Sequence, residues 1–213
     1  MRNLVLETNF ASRDFKFRNA PFEILEYRNE VRFSQHLTER FMYVQDANIP
    51  PGKKTVLGLY VTAKEAYEKW KSAPEKIKVI DVRTQEEFLF VGFAPMAWKI
   101  PVAVQSFEWD TEKKQYPLLP KIDFVNRVKE IADEDDTLMI MCRSGGRSAI
   151  AVNMLAEAGF KRAYQILDGM EGDVVTDEDS VFKGQRMMNG WKNSGCPWTN
   201  ELSPWRLLLP KSE

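Results

Sequence analysis

Histidine is nearly absent from this chain. His36 is the only one in 213 residues, and there are just two cysteines, Cys142 and Cys196. A zinc site needs several Cys or His ligands at close spacing, and no such cluster exists. A Ser-His-Asp triad would have to use His36, which lies in a segment with no other catalytic signal and reads as a surface or helix-face residue. An excess of one charge is lacking too. Thirty Lys and Arg against 31 Asp and Glu leave a net charge of −1 and a pI near 6.0, so nothing points to nucleic acid or a membrane surface as partner. Long apolar runs are missing as well. The longest, Phe88 to Trp98, is broken by Gly92 and Pro95 and falls far short of a membrane span. Residues Met1 to Glu7 hold no extended apolar core, so no signal peptide is expected. The expected location is cytoplasmic, with the periplasm as the alternative for a chain whose leader has been removed.

What is present describes a soluble globular protein. Hydrophobic residues make up 44% and charged residues 29%, over a length that suits one domain with extensions. The most informative stretch is Met139 to Ser148. Leu138 to Met141 is apolar without alternation, which suits a strand buried on both faces of a parallel sheet. It ends at Cys142, and Arg143-Ser144-Gly145-Gly146-Arg147-Ser148 follows. After Arg147 the recurrence of Ala151, Met154, Leu155 and Ala158 marks a helix. The strand thus delivers a cysteine into a glycine-bearing loop that opens a helix. Backbone N–H groups of such a loop can converge on an anion, and the helix start adds partial positive charge. Both effects, with Arg143 and Arg147, favour thiolate at Cys142. With no histidine base at hand, these groups are the expected means of activating a nucleophilic cysteine. A positive side chain at a helix start is unfavourable by itself. An anionic target therefore explains Arg147 better than its alternative, an ion pair with a nearby acid. Ser144 and Ser148 can donate to a bound anion or cap the helix.

Elsewhere the chain alternates. Residues 1–50 carry no motif and form an N-terminal extension, with Leu37, Phe41 and Val44 on one face of a short helix after Ser34. Pro50-Pro51-Gly52 is a break. Thr62 with Glu65, and Thr84 with Glu87, read as capping boxes opening two helices, the first closed by Pro74. Between them Ile77 to Ile80 is a strand leading into Asp81-Val82-Arg83. Ala97 to Pro101 is a short strand, Gln105 to Pro120 a polar, aromatic loop, and Phe124, Val128 and Ile131 mark a helix. Gly159 caps the helix after Arg147, and Ala163 to Leu167 is a strand leading into the turn Asp168-Gly169. The expected class is α/β, an open, mainly parallel sheet flanked by helices, with ligands at the carboxyl ends of the strands. Cys142 and Asp81 both lie at such ends. Residues 201–213 form a C-terminal tail, apolar from Pro204 to Pro210.

Four stretches resemble the rhodanese-like domain, the sulfurtransferase fold that works through a cysteine persulfide. They are Asp81-Val82-Arg83 with Glu86, Glu87 and Phe88; Gly92 to Pro101; the loop Cys142 to Ser148; and Leu167-Asp168-Gly169-Met170. The pattern departs from the family at Phe93 and Met96, where a histidine and a glycine are usual. The tryptophan expected after the last turn is delayed to Trp191, which makes 174–189 an insertion. The resemblance implies a rhodanese-like domain over 51–200. It implies a sulfurtransferase that moves sulfane sulfur from a donor such as thiosulfate, through a Cys142 persulfide, to a thiol or cyanide. A protein acceptor is a further candidate, and neither cofactor nor metal is implied. Arg143, Ser144, Gly145, Gly146, Arg147 and Ser148 would bind the anion, with Asp81 and Arg83 in support as a structural pair with Glu86 or Glu87. Four residues separate Cys142 from Arg147. Dual-specificity phosphatases of a related fold have one more, a wider cradle for phosphate. The shorter loop therefore favours sulfur transfer over a phosphatase or arsenate reductase. A non-catalytic redox-sensing or partner-binding module is the other alternative. Cys196 is either a packed residue among tryptophans or a resolving cysteine that bridges to Cys142, which would require Cα atoms within about 7 Å. The oligomeric state is left open.

Overall fold

The structure is a computed structural model that describes residues 49–202 and residue 206. All of them belong to one compact unit, Met42–Glu213. His36, the helix expected after Ser34 and the apolar stretch of the tail, apart from Arg206, lie outside the described residues.

Among the described residues, a 3-10 turn, Pro51–Lys53, precedes the regular elements. In chain order these are β1 (Tyr60–Val61), α1 (Ala63–Ser72), β2 (Ile77–Asp81), α2 (Gln85–Val91), β3 (Trp98–Lys99) and β4 (Ala103–Gln105). Then come β5 (Leu118–Pro120), α3 (Phe124–Lys129), β6 (Thr137–Met141), α4 (Gly146–Glu157) and β7 (Ala163–Ile166). Five strands make one parallel sheet in the order β1-β7-β6-β2-β3. β6 is central and buried along its whole length, as its unbroken apolar run requires. Successive side chains of a strand point to opposite faces. Leu138, Ile140 and Cys142 accordingly pack with Val128 of α3 and Val152 and Leu155 of α4. Met139 and Met141 pack on the other face with Ala63 and Ala66 of α1, Trp191 and Cys196.

Both capping boxes form. Thr62 accepts the Glu65 N–H and Glu65 accepts the Thr62 N–H, and Thr84 and Glu87 do the same. They set α1 and α2 off from the ends of β1 and β2. Past the end of α4, Gly159 takes φ +101°, the left-handed conformation of a helix C-cap.

Two regions differ from the sequence expectation. Residues 105–120 are not simply a loop: β4 and β5 pair antiparallel, and residues 106–117 form the hairpin between them. Strands of three residues with mostly exposed side chains leave no period-two pattern to detect. The two-residue strand β1 is too short to read as well. Within residues 174–189, expected to be an insertion, Val174 bridges Arg186, and Arg186 donates to the Gly172 carbonyl at 2.7 Å. Trp191 beyond it is fully buried, with its indole N–H on the Pro197 carbonyl at 2.8 Å. Phe93, where histidine is usual, is a core ring bridged to Thr199 with the Lys99 ammonium 4.1 Å from its centroid.

Candidate active site

Cys142 sits where β6 ends. Its carbonyl accepts the Met170 N–H at 2.8 Å, and the Arg143 carbonyl accepts the Glu171 N–H at 2.9 Å, so the turn after β7 pins the start of the loop. Gly145 then turns the chain with φ +102°. A Cβ there would lie 2.4 Å from the Leu167 carbonyl oxygen, so only glycine fits. This turn aims the Gly145 N–H at Cys142 Sγ, 3.1 Å away. The Gly145 carbonyl is held by Ser148 Oγ at 3.0 Å and Gln165 Nε2 at 2.7 Å. Ser148 has one hydroxyl proton and gives it to that carbonyl. Toward Sγ, at 3.5 Å, it is therefore an acceptor from the thiol and not a helix cap. α4 begins at Gly146, so the amides of Gly146, Arg147 and Ser148 have no acceptor within the helix. They place the positive end of the helix at the loop.

The Arg147 guanidinium is committed elsewhere. It makes a bidentate bridge to Glu87, with both contacts at 2.6 Å. This realises the ion-pair alternative for Arg147 and leaves its backbone amide, not its side chain, for the loop. Burial works against the charge of Arg147, but the hydrogen bonds and charge of Glu87 outweigh it and its pKa is raised. The charges of Cys142 and Asp81 act in the same direction. For Glu87, burial pushes the carboxyl up, while Arg147, the Thr84 amide and Arg83 together hold it below the usual glutamate value. Arg143 is exposed and Ser144 half-buried, and Arg143 has no ion pair among the described residues.

Asp81 and Arg83 are fully buried and pair with each other, not with Glu86 or Glu87. Arg83 Nε meets Asp81 Oδ1 at 2.9 Å and Nη2 meets Oδ2 at 2.7 Å, while Nη2 also donates to the Gly92 carbonyl at 2.7 Å. Burial opposes the Arg83 charge, and Asp81 outweighs it, leaving the pKa raised. Asp81 thus supports the end of β2, with both its oxygens held by Arg83, and does not line the cleft at Cys142, where a phosphatase of the Cys-Arg type needs an acid for its leaving group.

Cys142 itself is only 1% exposed, yet it lines a cleft of about 740 Å³. Arg143, Ser144, Gly146 and Arg147 border the cleft on the loop side. Glu86 and Phe90 of α2, Tyr116 and Leu118 of the hairpin, and Glu171 close it. The structure does not bring Cys196 to this place. Both cysteines are free, and they belong to core layers on opposite faces of the sheet. Burial pushes the Cys196 thiol up to about 11.

Several site residues escaped the sequence reading. Glu87 was legible as a helix cap and as a candidate partner of Asp81 and Arg83, but not as the partner of Arg147. Gln165 gave no signal, being one polar residue in an apolar strand. Lys53, whose Nζ bonds the Leu167 carbonyl at 3.2 Å and Asp173 at 2.9 Å, lies beside Gly145 from far away in the chain. Among the described residues no three His, Cys, Asp or Glu side chains are placed to hold a metal, and no helix is long and apolar enough to cross a membrane.

A family model described as the rhodanese-like domain matches residues 62–172, just over half of the chain. An uncharacterized protein of Rickettsia prowazekii is 32% identical over 120 residues, covering 56% of this chain and 80% of that protein. Rhodanese-like domain-containing protein 4, chloroplastic, of Arabidopsis thaliana is 28% identical over 137 residues, covering 64% of this chain and 25% of that longer protein. Among solved structures, the crystal structure of Rv0390 from M. tuberculosis superposes with a TM-score of 0.51 at 26% identity. That match covers 66% of this chain and 96% of the other.

Proposed function

The chain belongs to the rhodanese-like domain family, and on that premise we propose that it is a sulfurtransferase carrying sulfane sulfur on Cys142. The observation that carries the reading is the Gly145 N–H aimed at Cys142 Sγ on the border of an open cleft. The Cys142 thiolate attacks the outer sulfur of a donor such as thiosulfate. The donor S–S bond breaks as the Cys142 S–S bond forms, and sulfite leaves. The loop amides and the start of α4 stabilise the negative charge that now rests on the outer sulfur. A thiol or cyanide then takes that sulfur and restores the thiolate. Phosphate hydrolysis is disfavoured, since Arg147 is bound to Glu87 and Asp81 to Arg83.

The test is intact mass after incubation with inorganic polysulfide or thiosulfate. The wild type should gain about 32 Da, one sulfur atom, and lose it to cyanide, while Cys142→Ser should gain nothing. A wild type that takes up no sulfur from either donor, or a mutant that does, overturns the reading.

A further inference from the structure

The bonds to the Gly145 carbonyl set directly only the peptide plane that follows Gly145. Ser148 Oγ and Gln165 Nε2 hold that carbonyl, and the Ala149 amide joins them at 3.2 Å. The N–H aimed at Cys142 Sγ belongs to the plane that precedes Gly145. The two planes meet at the Gly145 Cα, and a glycine places no side chain there to restrict its φ. The groups packed on that Cα therefore decide how well the N–H keeps its aim.

Two groups pack on it. Where a Cβ would stand, the Leu167 carbonyl oxygen is 2.4 Å away, Lys53 Cδ 2.8 Å and Lys53 Cε 3.0 Å. One ammonium governs both. Lys53 Nζ donates to the Leu167 carbonyl at 3.2 Å and to Asp173 Oδ1 at 2.9 Å. Asp173 is fixed in turn: its N–H donates to Asn189 Oδ1 at 2.7 Å, and its Oδ2 accepts Asn189 Nδ2 at 3.1 Å. Burial pushes the Asp173 carboxyl up, but its bonds to Lys53 and Asn189 and the charges of Lys53 and Arg186 hold it below the usual aspartate value. The tie to Lys53 therefore stays ionic around neutral pH. The Lys53 side chain is only 19% exposed. Ordering so long a stem costs entropy that a solvated surface lysine keeps. Lys53 does not line the cleft, and both it and Asp173 lie outside the stretch that the family model matches.

We propose that Lys53 is a positioning residue for sulfur transfer: its ammonium, tied to Leu167 and Asp173, holds its stem against Gly145 and so keeps the Gly145 N–H on Cys142 Sγ. The inference rests on the sulfur-transfer reading and adds to it a residue from far outside the Cys142 loop. Lys53 touches neither the sulfur nor a substrate in the cleft. It acts through Gly145, by limiting the rotation that a glycine would otherwise have.

The experiment compares the full chain with Lys53→Met, which keeps most of the stem and loses the ammonium, and with Lys53→Arg, which keeps a donor for each acceptor. Sulfur loading from inorganic polysulfide is followed by intact mass, and its saturating rate is separated from the half-saturating concentration. Lys53→Met should lower the saturating rate about tenfold and leave half-saturation unchanged, a smaller loss than deleting an oxyanion donor outright. The pH profile of Cys142 alkylation by iodoacetamide should move to higher pH in Lys53→Met, because a hydrogen bond to the thiolate has been loosened. Hydrogen exchange at the Gly145 amide should speed up while the amides of Met139 and Ile140 keep their protection. Lys53→Arg should recover most of all three. Asp173→Ala should act in the same direction as Lys53→Met and add nothing to it in the double variant. A Lys53→Met chain that loads and alkylates like the wild type overturns the inference and leaves sulfur transfer intact. So does a defect that Lys53→Arg shares in full, or one accompanied by faster exchange throughout β6. A wild type that takes up no sulfur removes the sulfur-transfer reading. The alkylation profile and the exchange still decide the Lys53 contact, since neither needs a sulfur donor.

Discussion

At the scale of single residues, the candidate site turns on pairings between distant positions. Glu87 caps α2 and at the same time takes the guanidinium of Arg147, 60 positions later. A bidentate, partly buried bridge lies between exposed pairs, which contribute little, and fully buried ones. Glu87→Gln should therefore cost about 2 kcal/mol near neutral pH. The pH dependence comes from the lowered carboxyl of Glu87. Between its folded value and the ordinary glutamate value, the unfolded chain binds more protons. The stabilisation is thus complete above about pH 4.5 and is lost as pH falls through the depressed value. Urea melts of wild type and Glu87→Gln should converge on acidification. A gap that stays constant down to pH 3 would show that the bridge does not depend on the Glu87 charge. The loop from Cys142 to Ser148 was legible because its logic is local: strand, glycine turn, helix start. The partner of Arg147 was not, because only the sheet register of β2 beside β6 brings the two helix starts together.

At the scale of elements, the loop is clamped by β7 and by the turn at its carboxyl end. The amides of Met170 and Glu171 hold the carbonyls of Cys142 and Arg143, and Gln165 holds that of Gly145. Alternation of strands and helices made the parallel sheet legible, with both capping boxes and the glycine cap of α4. The hairpin of β4 and β5 was not legible, and it supplies Tyr116 and Leu118 to the cleft. Gln165 escaped for a related reason: a fully buried amide in a strand says nothing until its acceptor is known. Gln165→Leu keeps the bulk and removes the donor. It should cost about 1 kcal/mol of stability. It should also loosen the loop, read as faster hydrogen exchange at the Gly145 amide and slower sulfur loading. Unchanged exchange at that amide would mean that Ser148 and the Ala149 amide fix the turn without Gln165.

At the scale of the whole molecule, the sheet divides the core into two layers, and the parity of β6 decides which layer receives the Cys142 sulfur. Cys142 has the parity of Leu138 and Ile140, whereas Cys196 comes from an irregular segment that packs with Met139, Met141 and Trp191. Sequence spacing could not reveal this, because no periodic pattern fixes the face on which residues beyond β7 settle. A sheet between two thiols prevents the Cα approach that a disulfide requires. Cys196 is also a poor nucleophile, since burial lifts its thiol to about 11 and little thiolate exists near neutral pH. Mild peroxide on the native chain should therefore produce no intramolecular disulfide. Alkylation near pH 8 should modify Cys142 alone, with Cys196 reacting only after denaturant is added. Peptide mapping checks both results. A cross-linked Cys142–Cys196 peptide obtained from folded protein would mean that the two layers open to each other in solution, and it would restore Cys196 as a resolving thiol.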